Sequence, residues 1–251
     1  MAHQLFVWLV PKFGDSTPWR RFDIPVTDFC AEAASPDGDP ALLDLLDPPP
    51  LMDVLEAICG GDNIRCIHIQ PRTVPPEDEG GYTSWHRDMS DVNSVANSFP
   101  TDGRVVKAIV YLHDCPPQGG ANGVVVGSHR LPFGPTEVYG KQFYDGTEAT
   151  RHKSLPLEKM PNALAFTLPA GWAAIFDITS WHTALGNSGP GERQNMIQTY
   201  IKSPTFSNPG HVGHGIPAPM LHELARHGRL HPSRRKLLGL PQVGDIKPPE
   251  R

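Results

Sequence analysis

Trp85-His86-Arg87-Asp88 is the stretch on which the reading of this chain turns. In an extended segment, residues two apart point to the same side. His86 and Asp88 can therefore aim an imidazole and a carboxylate at one point, while Arg87 points away. That donor pair suits a divalent first-row metal. By itself an H-x-D pair arises easily by chance in a chain with 12 histidines. It gains meaning only if the remaining sequence supplies a barrel to hold it and a third ligand to complete it.

The surroundings read as short strands between turns. Ile64 to Gln70 predicts a strand with Ile64, Cys66, His68 and Gln70 on one face. Residues 104–112 predict another, with Lys107, Ile109 and Tyr111 on one face. Val124 to Val126, Ala163 to Leu168, Trp172 to Ile178, Trp181 to Leu185 and Arg193 to Ile201 follow, separated by Gly/Pro-rich turns. In the last of these, Arg193, Asn195, Ile197 and Thr199 share a face. Helical periodicity is confined to 41–59, interrupted at Pro48-Pro49-Pro50, and to two short stretches near 219–228 and 232–238. In the first of these, Leu51, Val54, Leu55 and Ile58 carry the period. A short strand at Leu5 to Val10 is also expected. Many short strands with close turns predict a mainly β sandwich or jelly roll. No G-x-G-x-x-G, P-loop or alternating βαβ pattern argues for a nucleotide fold.

Composition narrows the function classes. The 251 residues carry a net charge of −5 without a basic block, so no nucleic-acid partner is expected. No apolar run approaches the roughly 18 residues of a membrane span, so no membrane association is expected and the cytoplasm is the default compartment. Cys30, Cys59, Cys66 and Cys115 form no C-x-x-C pair and read as packed free thiols. The histidines after residue 202 (His211, His214, His222, His227 and His231) lack tidy metal spacing and read as solvated.

His182 follows Trp181 in a predicted strand, and Arg193 comes eleven residues later at the start of the next. Two antiparallel strands joined by such a loop would face both side chains into one interior. Two histidines and a carboxylate occupy one face of an Fe(II) octahedron and leave three positions for other ligands. A buried arginine would then suit the distal carboxylate of a chelating 2-oxo acid, because its fork stays charged and binds bidentately.

His86-x-Asp88, His182 and Arg193 in this order resemble the phytanoyl-CoA dioxygenase (PhyH) family of Fe(II)/2-oxoglutarate oxygenases. The flanks resemble it too: Gly119-Gly120, then Val124-Val125-Val126-Gly127-Ser128-His129 with Val126 where the family usually has Pro, then Gly171-Trp172, Phe176-Asp177 and Asn187-Ser188. The likeness covers roughly residues 41–201. It implies a double-stranded β-helix, a jelly-roll or cupin-like barrel with flanking helices. It also implies one oxygenase domain over 1–251, with a barrel core at about 64–201 and a tail at 202–251 serving as a lid or an oligomer contact. By the resemblance, His86, Asp88 and His182 bind Fe(II), and Arg193 holds 2-oxoglutarate. Gln70, Ile109 and Ala184 match softer cosubstrate positions, with a hydroxyl missing at Ala184 or supplied by Thr183 or Thr199. Asp88 fills the place a halide takes in the family's halogenases, which favours oxygen chemistry.

The expected reaction consumes O2 and 2-oxoglutarate, releases succinate and CO2, and hydroxylates, desaturates or cyclises a small-molecule substrate. His68 is expected as a pocket wall. Lys107 either snorkels outward or meets an anionic substrate group. His129 is expected to hold a turn, and Arg87 to be solvated or at the substrate rim. The chain is expected to be a monomer or homodimer. The competing readings are a non-oxidative cupin-like metal enzyme and a jelly-roll binding protein without turnover. Arg193 argues against the first, and the complete ligand set against the second.

Overall fold

The computed structural model describes residues 20–21, 40–61, 63–76, 83–87, 105–130, 157–202, 225–226, 228–229 and 231–238. The strand expected at Leu5 to Val10 and most of the helical stretch at 219–228 lie outside them. Two antiparallel sheets carry the fold. The elements that build them are β1 (Arg20–Arg21), β2 (Ile64–Val74), β3 (Thr83–His86), β4 (Val105–Tyr111), β5 (Asn122–Val125), β6 (Ala163–Ala165), β7 (Ala173–Asp177), β8 (His182–Ala184) and β9 (Arg193–Lys202). The larger sheet has the order β1-β2-β9-β4-β7 and the smaller β3-β8-β5-β6. Apart from β1-β2 and β5-β6, neighbours in space are not neighbours in sequence, as expected of the mainly β jelly roll.

The chain forms two compact units. The first comprises Met1–Phe22, Pro71–Thr101 and Lys107–Ile197, and the second Asp23–Gln70, Asp102–Val106 and Gln198–Arg251. In the first unit the inner faces of both sheets meet over Ile109, Tyr111, Ala121, Ala174 and Ile197, with Phe166 and Phe176 packed alongside. Every residue of β4 is buried, which explains its near-continuous apolar run: a strand covered on both faces does not alternate. A second cluster, Trp85, Val125, Met160 and Trp181, lies behind the smaller sheet.

In the second unit, helix α1 (Pro49–Cys59) begins inside the Pro48-Pro49-Pro50 run, which the sequence suggested as a break. Pro48 is the N-cap and the next two prolines occupy the first turn, where a missing N–H costs nothing and a fixed φ is already helical. The buried stripe is Leu51, Leu55 and Cys59. Val54, counted with the stripe from sequence, is 44% exposed. A 3-10 turn (Pro40–Leu45) precedes α1. Its end is tied to β9 by Gln198 Nε2 donating to Leu45 O (2.6 Å) and Tyr200 Oη donating to Leu46 O (2.6 Å).

Helix α2 (Pro232–Leu237) is capped by His231, whose Nδ1 accepts from Arg234 N. The buried Arg234 pairs with the buried Asp47 through Nε and Nη2, and its Nη2 also reaches Asp44. The described part of the tail is thus anchored within its own unit. Cys59, Cys66 and Cys115 are buried free thiols, and no helix among the described residues is long and apolar enough to cross a membrane.

Candidate metal and cosubstrate site

Strand pairing brings the two histidines together. β3 runs antiparallel to β8 with His86 opposite His182. Directly opposed residues in an antiparallel pair put their side chains on one face. The two rings have centroids 4.3 Å apart and an interplanar angle of 47°. Phe176, from β7 of the other sheet, stands 5.2 Å from the His182 ring and closes it from the side. His182 is buried; His86 is half-buried.

His182 Nδ1 lies 2.8 Å from Ser180 O. A carbonyl only accepts, so Nδ1 carries a proton and Nε2 is the ring nitrogen left to meet a metal. Ligating histidines are oriented in this way, by a carbonyl on the far nitrogen. Asp88 lies outside the described residues, and among those described no group of three His, Cys, Asp or Glu side chains converges on one point. The donor set nonetheless fits a divalent iron: two imidazoles on one face, one with its tautomer fixed, and an aspartate two residues after His86 in sequence.

The ladder between β5 and β8 fixes the depth of the site. Val124 opposes His182, Asn122 opposes Ala184, and the same register continues to a bridge between Gly119 and Asn187. Arg193, at the start of β9, is buried and donates from Nη1 to Gly120 O. Gly120 stands four residues before Val124 in the run of chain whose register with β8 continues to the Gly119–Asn187 bridge. The guanidinium thus roots well below the histidine level, in a protein interior, where a planar fork that remains charged suits a carboxylate. Gly120 has φ 72°, and a Cβ there would fall 2.9 Å from Asn187 Cβ. Only glycine lets the chain pass beneath Arg193 in that conformation.

Between these levels lies a polar floor that sequence reasoning missed. Asn122 Oδ1 accepts from Tyr111 Oη (3.3 Å) and from Asn195 Nδ2 (3.0 Å), and Asn122 N donates to Tyr111 Oη (3.2 Å). Burial pushes the Tyr111 hydroxyl up to about 12, although the Arg193 charge pulls it down. It stays protonated and donating. Burial likewise raises the Cys115 thiol against the same Arg193 charge. The parity of each strand could have placed these groups: Asn195 shares a face with Arg193, and Asn122 with Val124.

The other expected site residues fall as follows. Ile109 and Ala184 are fully buried in the first unit, Ile109 in the inner core and Ala184 on the His182 face. Lys107 is buried on the strand face that carries Ile109 and Tyr111, so it does not snorkel outward. Gln70 is buried and His68 half-buried, both on β2 in the second unit.

Thr183 cannot replace a hydroxyl at Ala184. It points to the opposite side of β8, where its methyl lies 3.3 Å from the Cβ position of Gly123. Thr199 is buried in the second unit. His129 is exposed, and the turn is held instead by Ser128, whose Oγ donates to Val125 O (2.7 Å) and accepts from Trp181 N (2.8 Å). Arg87 is not solvated; it is 8% exposed and donates from Nη2 to Ser128 O (2.6 Å).

A cavity of about 390 Å³ lies in the second unit between Asp44, Asp47, Met52, His231 and Arg234. Its carboxylates Asp44 and Asp47 are already engaged by Arg229 and Arg234.

Fold and site together define a jelly-roll protein with a histidine pair at one level of its interior and a buried arginine below it. The sequence profile of phytanoyl-CoA dioxygenase (PhyH) matches residues 13–195, and the chain belongs to that family. Solved structures with the same fold include HygX from Streptomyces hygroscopicus, with nickel and 2-oxoglutarate bound. It shares 17% identity over 87% of this chain and 84% of that one, with a TM-score of 0.55. The epimerase SnoN, in complex with Fe3+, alpha ketoglutarate and nogalamycin RO, shares 16% identity over 86% of this chain and 84% of that one, with a TM-score of 0.53. EctD from S. alaskensis, with 2-oxoglutarate and 5-hydroxyectoine, shares 21% identity over 79% of this chain and 64% of that one, with a TM-score of 0.52. At these identities the likeness is one of fold. None of the curated protein sequences compared with the chain matches it.

Proposed function

We propose that the protein is an Fe(II)- and 2-oxoglutarate-dependent oxygenase that oxidises a C–H bond of a small molecule. The observation that carries this reading is the His86–His182 ring pair, set on one inner face above the buried Arg193. Family membership supports it, as do the 2-oxoglutarate complexes of HygX and EctD, proteins of the same fold. When bound, the iron supplies O2 activation coupled to decarboxylation of 2-oxoglutarate to succinate and CO2.

The protein's own groups set the geometry. His86, Asp88 and His182 would hold the iron. Ser180 O would keep His182 Nδ1 protonated, so that Nε2 meets the metal. Arg193 would fix the distal carboxylate of 2-oxoglutarate, and the neutral Tyr111–Asn122–Asn195 floor would offer hydrogen bonds without adding negative charge. Ile109, Phe176 and Ala184 would exclude water from the reacting end, which strengthens every charged contact there. Lys107 would meet an anionic group of the substrate. Hydroxylation, desaturation and ring closure are net oxidations at such a bond; epimerisation shares only their first event, loss of the hydrogen atom, and then needs a hydrogen donor to restore the bond.

Aerobic conversion of 2-oxoglutarate to succinate tests the proposal, measured with Fe(II) and a panel of metabolites. The wild type is expected to release succinate slowly alone and faster with a true substrate, and His182→Ala to release none. Equal succinate release by both proteins would contradict it.

A further inference from the structure

Arg87 stands between two of the residues proposed to hold iron, yet its side chain leaves the site. In the extended run it points to the face opposite His86. There it meets Trp181, the residue immediately before His182, with its guanidinium carbon 5.4 Å from the centre of the Trp181 rings. That is within the range of a cation–π contact, and both partners are buried. Behind the paired ligands His86 and His182 therefore stands a second pair, Arg87 and Trp181, on the reverse of the same two strands.

Ser128 joins that second pair. Its carbonyl accepts from Arg87 Nη2 at 2.6 Å, and its hydroxyl accepts from Trp181 N at 2.8 Å. Trp181 O in turn accepts from Val125 N at 2.8 Å, and Ser180 N donates to Asp177 O at 2.9 Å. The segment carrying His182 is thus bound on both sides. To the β3–β8 pairing that already joins the His86 strand to it, Arg87 adds a side-chain link through the Ser128 carbonyl and the Trp181 ring.

We infer that Arg87 is a positioning residue, which sets the spacing between His86 and His182 and so tunes how tightly the metal is held. This rests on the iron site proposed above. The buried, planar guanidinium suits the task, because it stacks on the ring while donating in its own plane.

The test is anaerobic titration with Fe(II), repeated with Co(II) followed by its visible absorption, on the whole protein. Outer groups that orient metal ligands typically cost roughly 10–100-fold in affinity when removed. Arg87→Met is expected to weaken both metals by that factor, and Arg87→Lys, which keeps the charge and a donor but not the plane, to recover part of it. An altered Co(II) spectrum in Arg87→Met, with unchanged 2-oxoglutarate affinity at saturating metal, is expected from shifted ligands and not from a merely loosened fold. Should Arg87→Met not fold, Arg87→Lys carries the test. Wild-type affinity and spectrum in a folded Arg87 variant would overturn the inference. A wild type that binds neither metal, or a His182→Ala variant that binds as the wild type does, would instead overturn the iron site itself.

Discussion

His86 and His182 face each other across β3 and β8, with ring centroids 4.3 Å apart, although 95 residues separate them in the chain. That separation is closed entirely by antiparallel pairing. The fold therefore acts as the instrument that turns a chance-level H-x-D into a site, and its consequences can be measured residue by residue.

Arg193 is expected to anchor the cosubstrate. Removing one partner of a buried ion pair costs about 3–5 kcal/mol. Arg193→Met should therefore weaken 2-oxoglutarate binding by roughly a hundredfold or more, read by calorimetric titration with Fe(II) present. Arg193→Lys keeps the charge without the fork and should fall between. An unchanged affinity would remove Arg193 from the site.

Tyr111 should make stability sensitive to alkali. Burial, opposed by the Arg193 charge, raises its hydroxyl to about 12 from an ordinary 10.0. A group whose pKa is raised on folding stabilises fully below the unfolded value and loses that contribution as pH climbs through the folded one. The stabilisation should hold to about pH 10 and fade towards 12. Tyr111→Phe should remove part of this fall, with Tyr200, also raised chiefly by burial, supplying another part. At neutral pH the same variant leaves Asn122 short of partners and should cost about 1–3 kcal/mol. Urea unfolding across the alkaline range measures both effects.

In the second unit, two arginines near Asp44 should differ sharply. Arg234 and Asp47 have side chains only 4% and 6% exposed. Arg234→Met should cost about 3–5 kcal/mol, because it strands a buried carboxylate. Arg229 and Asp44 are 33% and 51% exposed, so Arg229→Met should cost about 1 kcal/mol or less. Chemical denaturation of the two variants gives the comparison.

Much of this was legible in sequence because it depends on period-two alternation. The parity of β4 and β9 put Ile109, Tyr111, Arg193 and Asn195 on shared faces, and the two histidines and the arginine appeared in order. What escaped depends on contacts between elements distant in the chain. Arg87 reads as a solvated charge until Trp181 and Ser128 are brought behind it. Val126, where the family usually has proline, has its own reason: its N–H donates to Asn162 O at 2.9 Å, a bond that proline cannot make. Thr183 is next to Ala184 in sequence, but a one-residue offset on a strand reverses the face, so it cannot stand in for a hydroxyl there. The proline run before α1 read as a break because proline stops helices in their interior, whereas here it starts one.

His86, Asp88 and His182 are expected to hold iron so that 2-oxoglutarate can chelate it. Anaerobic addition of Fe(II) and 2-oxoglutarate to the wild type should produce the weak visible charge-transfer band of that chelate. His86→Ala, Asp88→Ala and His182→Ala should each abolish it. A wild type without the band, or a His182→Ala variant that keeps it, would contradict the account.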